Sequence, residues 1–212
     1  QMMDLAAYWD TLGWVYFREG KLQQARKYAA ASFALSQQGV VADHMGQMDI
    51  KLGRRSAAIR EEAAAAEIPV QFKMVNGRLV RPQFDLKADG AEGRLSRLVR
   101  TKAAFDSAIN KVADELAASR TFGVSKKGMP DGEADFYVLL SAGAAKAEVQ
   151  FISGTESLRA AAPRLAAVNY YLAFPGKGPA KVVRRGALTC SKELPACDLV
   201  LYPSETTPNL AQ

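Results

Sequence analysis

The chain has 212 residues, 49% hydrophobic and 24% charged, an ordinary globular composition with room for one large domain or two small ones. Its formal net charge of +6 is balanced over residues 1–68, reaches +4 over 69–133 and +2 over 134–212, and lacks the dense, aromatic-laced basic stripe of a nucleic-acid binder. No apolar run approaches the ~18–20 residues needed to cross a bilayer, and Gln1-Met2-Met3-Asp4 has neither the basic start nor the cleavage site of a signal peptide. These features predict no nucleic-acid partner and no direct membrane insertion.

The first helix is predicted over about 4–19, with Leu5, Trp9, Leu12 and Tyr16 at helical spacing on one face. Within it stands Trp9-Asp10-Thr11-Leu12-Gly13-Trp14-Val15-Tyr16, where Gly13 marks the close passage of a paired helix. Gly20 breaks the helix and a second runs over 21–37 with Ala25, Ala29 and Phe33. The pattern recurs 33 residues on: Gly13 maps to Gly46, Gly20 to Gly53 and Ala25 to Ala58, giving helices at about 41–52 and 55–67. Ile68-Pro69 ends the fourth.

Residues 70–84 alternate around Asn76-Gly77, a strong hairpin signal, with Pro82 limiting the second strand. Residues 91–120 return to helix, with Phe105, Ile109, Val112 and Leu116 on one apolar face. Gly123 to Gly132 reads as linker. Strands are then predicted at 135–141 and 147–153 around a turn at Ala142-Gly143, a helix at 155–168 that Pro163 kinks or borders, a turn at Phe174-Pro175-Gly176, and strands at 180–190 and 197–202. Pro203 to Gln212 reads as a loose tail.

The expected fold is therefore α+β. Helical hairpins occupy 1–67, an inserted β-hairpin 68–90, a helical extension of the repeat stack 91–122, a linker 123–133, a β-β-α-β-β domain 134–203 and a tail 204–212.

Catalytic chemistry is sought without success. The single histidine, His44, reads as a packed or half-exposed helix residue, and two cysteines with one histidine make a poor zinc set. No phosphate loop, dinucleotide fingerprint or nucleophile elbow occurs. Glu61-Glu62 and Asp114-Glu115, being adjacent in helices, read as solvated faces. No cofactor, no metal and no catalytic residue are expected. Cys190 and Cys197 flank a short polar turn between predicted antiparallel strands, so they are expected to form a disulfide and to place the chain in an oxidising compartment. The candidate partner-binding residues are Trp9, Trp14 and Tyr16, which either line a groove or fill inter-helix core, and Arg184 and Arg185, which alternate across a strand.

Residues 4–67 resemble a pair of tetratricopeptide repeats, on the W-x-x-L-G-x-x-Y segment and the 33-residue recurrence quoted above. Residues 134–203 resemble the C-terminal domain of TonB-type proteins. That likeness rests on Phe136–Leu140, Glu148–Ile152, Ser153-Gly154, Leu158-Arg159, Phe174-Pro175, and the Val182–Gly186 and Leu188–Ser191 runs. The two together are similar to the tail of large acidobacterial secreted proteins that carry a transglutaminase-like region upstream. A chain opening on Gln in mid-repeat fits such a piece. The resemblance implies a non-enzymatic scaffold of a periplasmic or secreted, envelope-located protein, binding protein or peptide partners through the repeat surface and an open sheet edge, with homo-oligomerisation an option. The alternative is the accessory end of a transglutaminase-like enzyme catalysing upstream. The membrane helix and Pro-rich spacer of an energy-transducing TonB protein are not in this sequence.

Overall fold

The computed structural model describes residues 2–71, 73–142, 146–174 and 181–202. The expected Ala142-Gly143 turn in part, the Pro175-Gly176 turn and the tail beyond Pro203 lie outside them. The architecture is α+β, in two compact units, residues 1–115 and 116–212.

The N-terminal unit opens with α1 (Met2–Arg18), α2 (Leu22–Ser36), α3 (Gly39–Lys51) and α4 (Arg55–Glu67). The 33-residue period is a backbone fact. Gly20 and Gly53 take φ +76° and +69°, the left-handed region where glycine costs least. Lys21 N–H then donates to the Tyr16 carbonyl and Arg54 N–H to the Asp49 carbonyl, both at 2.9 Å. Each first helix thus ends in the same glycine-stopped turn, and the chain re-enters the second helix at matching angles (Lys21 −81°/61°, Arg54 −86°/66°).

Helix α2 passes close at Gly13 as expected, but the apolar face drawn through Leu5, Trp9, Leu12 and Tyr16 is only partly covered. A Cβ on Gly13 would lie 3.1 Å from the Ala25 carbonyl oxygen and 3.2 Å from the Ala29 nitrogen, so α2's backbone lies along the line of Gly13. Ala6 shares that line and is buried, while Leu5 and Leu12 are exposed. The approach of two backbones at glycine, rather than the count of large apolar residues, sets the rotation of the helix.

The β-hairpin is present but short, β1 (Met74–Val75) against β2 (Arg78–Leu79), turning through Asn76 and Gly77 at φ 52° and 73°. Its four strand residues are exposed, and a two-stranded ribbon exposed on both faces has little to extend it. Helix α5 (Gly90–Val99) stops at Arg100 in the left-handed conformation, and α6 (Lys102–Arg120) follows, burying Phe105, Ile109, Val112 and Leu116 as expected.

In the C-terminal unit the strands are β3 (Thr121–Val124), β4 (Gly132–Ser141), β5 (Glu148–Gly154), β6 (Lys181–Cys190) and β7 (Cys197–Leu201). They form one antiparallel sheet in the order β3-β7-β6-β4-β5. The first strand falls in residues read as helix end and linker: Thr121 to Val124 pair with Val200 to Cys197. The expected helix over 155–168 is a 3-10 helix (Glu156–Ala161) followed by α7 (Ala162–Ala166). Pro163, without an N–H, stands near the start of α7, where that donor has no helical partner. The inward lines of β4 (Phe136, Val138 and Leu140), β6 (Val182 and Leu188) and β7 (Leu199 and Leu201) are buried, as are Leu158, Leu165 and Tyr170. Tyr170 keeps its hydroxyl satisfied by donating to the Leu165 carbonyl at 2.8 Å.

Candidate functional site

Trp14 and Tyr16, with Phe17 and Phe33, pack against a core of Ala25, Ala29, Val41, Met45 and Met48. Trp14 stacks on Phe17 at 4.9 Å and on His44 at 4.3 Å, and His44 Nδ1 lies 2.9 Å from Asp10. His44 is therefore a packed helix residue. Tyr16 stacks on Tyr28 at 5.5 Å under the Lys21 ammonium. Trp9 is half-buried.

The open surface of this unit is another stripe of α1. Tyr8, Leu12 and Val15 are 71%, 37% and 46% exposed, and Leu5 continues the line. Shifted by the 33-residue period they become Val41, Met45 and Met48 of α3, which are 1%, 4% and 0% exposed. In the second hairpin that face is covered by Ala25 and Ala29 of α2 and the half-buried aromatics of α1. The two stripes occupy equivalent helical positions, and only α3's is covered among the described residues. The signal was present in the sequence as apolar residues at 5, 8, 12 and 15.

The same unit holds a buried charge network that overturns one expectation. Glu61 and Glu62, read as a solvated face, are both buried, as is Glu67. Gly46 is the reason for Glu62: a Cβ there would meet the Glu62 Cδ and Oε1 at 2.7 Å, so the missing side chain makes room for the carboxylate. The first hairpin has Ala29 at the equivalent place. Arg94 Nε donates to Glu62 Oε1 at 2.8 Å, and its Nη2 pairs with Asp43. Arg26 reaches Asp49 at 2.8 Å and Glu61 at 3.2 Å, and Arg60 links Glu61 to Glu115. One oxygen each of Glu61, Glu62 and Glu67 has no hydrogen-bond partner. Burial pushes Glu62 up to about 8, against the lowering influence of Arg97, and raises Glu61 and Glu67 for the same reason.

In the C-terminal unit the adjacent arginines part company, as strand alternation requires. Arg185, on the more open face, donates to Asp135 at 2.7 Å. Arg184 points inward and is buried. Cys190 and Cys197 form a disulfide, with Cα atoms 4.4 Å apart at the closed end of the β6–β7 hairpin. The Met129 sulfur sits 3.9 Å and 3.7 Å from the two cysteine sulfurs. Intact-mass measurement of unreduced, alkylated protein is expected to find no labelled thiol. Reduction is expected to lower the stability of this unit by about 2 kcal/mol, the entropy of so short a loop. Two labelled thiols would refute the bridge.

Among the described residues no group of three or more His, Cys, Asp or Glu side chains is placed to hold a metal ion, and no helix is long and apolar enough to cross a membrane. Comparison with protein-family models, with curated proteins and with solved structures finds no match to this chain.

Proposed function

We propose that this chain is a non-enzymatic interaction module of an envelope-located protein, holding polypeptide partners through its helical repeats. The observation that carries the reading is the uncovered α1 stripe of Tyr8, Leu12 and Val15, continued by Leu5, where the α3 equivalents of the first three, Val41, Met45 and Met48, are buried by a neighbouring hairpin. A helical hairpin buries its outer apolar face only against a neighbour, so the occupant suited to this stripe is another helix with a small-residue face like that of Ala25 and Ala29. The tetratricopeptide reading of residues 4–67 and the TonB-like reading of 134–203 agree with this role. The disulfide supports an oxidising compartment, as the periplasm or the cell exterior would be.

A second docking element is the sheet edge. β5 pairs with β4 alone, so one side of its backbone is available for an added strand among the described residues.

Photo-crosslinking in cells that produce the protein tests both surfaces. A benzophenone side chain at Leu12 or Tyr8 is expected to capture a polypeptide, and one at Gln150 tests the β5 edge, with exposed Lys111 as the background position. Yields at Leu12 and Tyr8 no higher than at Lys111 would refute the repeat-surface reading. Peptidase or acyl-transfer activity lost on substitution of a residue in this chain would refute its non-enzymatic character.

A further inference from the structure

The β1–β2 hairpin carries large apolar side chains that stay open to solvent: Met74, Val75 and Leu79 are between 47% and 58% exposed. The register sorts them by face. Met74 stands opposite Leu79 and Val75 opposite Arg78, so the first pair shares one face of the ribbon and the second pair the other. Lys73 extends the ladder, its carbonyl accepting from Val80 N–H at 2.9 Å, and alternation places its side chain with Val75 and Arg78. Residues 73–81 hold three basic side chains and no acidic one, so the tip is apolar and cationic together. Exposed apolar residues gathered in one place mark a surface that meets something.

The segment that follows the tip is braced against the helices. Pro82 is buried, Phe84 packs edge-on against Phe105 at 5.9 Å, and Arg81 donates to the Asn110 side chain at 3.1 Å. Asp85 N–H donates to the Ser96 hydroxyl at 3.0 Å. A braced stem presents the tip in a set conformation, which lowers the ordering cost of docking it.

We propose that this tip docks on the surface of an anionic lipid bilayer, with Met74, Val75 and Leu79 settling into the headgroup layer and Lys73 and Arg78 meeting lipid phosphates. The sign of the charge is complementary, and the size of the tip favours a bilayer over a protein. A stable protein interface covers about 800 Å² on each partner, more than the six residues 74–79 of a turn can present, and Trp, Tyr and Arg are its usual anchors. A bilayer sets no such threshold: binding grows with each apolar side chain submerged and each cation brought near the surface. The long side chains of Lys73 and Arg78 keep their charges among the headgroups while the apolar residues beside them sit deeper. A hairpin of this length rests on the bilayer and does not cross it.

Co-sedimentation of the full chain with vesicles tests this. Binding is expected to vesicles of equal parts phosphatidylcholine and phosphatidylglycerol, to weaken as salt rises, and to be much weaker to phosphatidylcholine alone. Each cation near an anionic surface is worth about fivefold in affinity, so Lys73→Glu with Arg78→Glu should weaken binding roughly 25-fold or more. Lys27→Glu with Lys51→Glu, a like charge change at exposed lysines elsewhere in the unit, should cost far less. Leu79→Asp should cost about tenfold, the worth of one submerged leucine. The altered side chains are exposed, so tryptophan fluorescence should report the parent fold in each variant; Leu79→Ser replaces Leu79→Asp where it does not. The proposal is overturned if the parent chain does not sediment with anionic vesicles, if the two charge-reversed pairs weaken binding equally, or if Leu79→Asp and Leu79→Ser bind as the parent does. Capture of a polypeptide by a benzophenone at Leu79, without sedimentation, assigns the tip to a protein instead.

Discussion

Raising the pH from about 5 to about 9 is expected to weaken the N-terminal unit. Three carboxyls of α4, those of Glu61, Glu62 and Glu67, are buried and titrate above their ordinary range, Glu62 at about 8. The folded unit therefore binds protons that the unfolded chain has released. A group raised in this way contributes its stability in full below the unfolded value near 4.5 and loses it as pH climbs through the folded value. Arg94 holds one oxygen of Glu62, but the other has no partner, and the side chain is wholly buried; burial decides the direction. At roughly 1.4 kcal/mol per unit, Glu62 alone accounts for at most about 5 kcal/mol across this range. Both tryptophans, Trp9 and Trp14, lie in this unit, so denaturant melts followed by tryptophan fluorescence read it selectively. The loss should be concentrated between pH 5 and 8 and be much reduced in Glu62→Gln, whose amide oxygen still accepts from Arg94. A flat profile, or an equal slope in Glu62→Gln, would count against this account.

The second large effect is expected at Gly154. It ends β5 with φ at +110°, a region side-chain-bearing residues rarely adopt. An added Cβ would also overlap the Glu133 carbonyl oxygen and lie 2.6 Å from the Ala134 Cα, both backbone atoms of the neighbouring strand. The pairing is already irregular there, since the β4–β5 register shifts between Asp135 and Phe136. Backbone strain and overpacking each cost about 1–3 kcal/mol, so Gly154→Ala should remove about 3 kcal/mol or more from the C-terminal unit. Gly123 is the control: it has no neighbour within 4 Å, and Gly123→Ala should change little. Calorimetric transitions of the two variants make the comparison. Equal midpoints for Gly154→Ala and Gly123→Ala would sink it.

Much of this organisation is legible in the residues, for identifiable reasons. The 33-residue recurrence of Gly, Gly and Ala announces the paired hairpins because each glycine has a local task, a close backbone approach at Gly13, room for the Glu62 side chain at Gly46, or a left-handed stop at Gly20 and Gly53. Asn76-Gly77 announces its turn, and the alternation in β4 and β6 announces their buried faces. Three features escape. β3 is specified by its pairing with β7, far along the chain, and Thr121–Val124 carries little local signal. The burial of Glu61 and Glu62 runs against polarity and depends on the gap that Gly46 leaves on another helix. The burial of Arg184 rather than Arg185 depends on which face of β6 the rest of the unit covers, and strand alternation alone shows only that one of the two arginines turns inward.

The place of β3 has a consequence for how the protein is made. Residues 1–115 close largely through neighbouring elements, with α1 to α5 each meeting the next, so this unit can complete those contacts as it leaves the ribosome. The sheet of the other unit cannot. Its outer pair joins Thr121 to Val200, a separation of 79 (200 − 121), and no earlier strand satisfies that flank of β3. During synthesis at about 5–20 residues per second, β3 waits several seconds for its partner with its hydrogen-bonding groups unpaired. During that interval an extraneous strand could seize the position meant for β7.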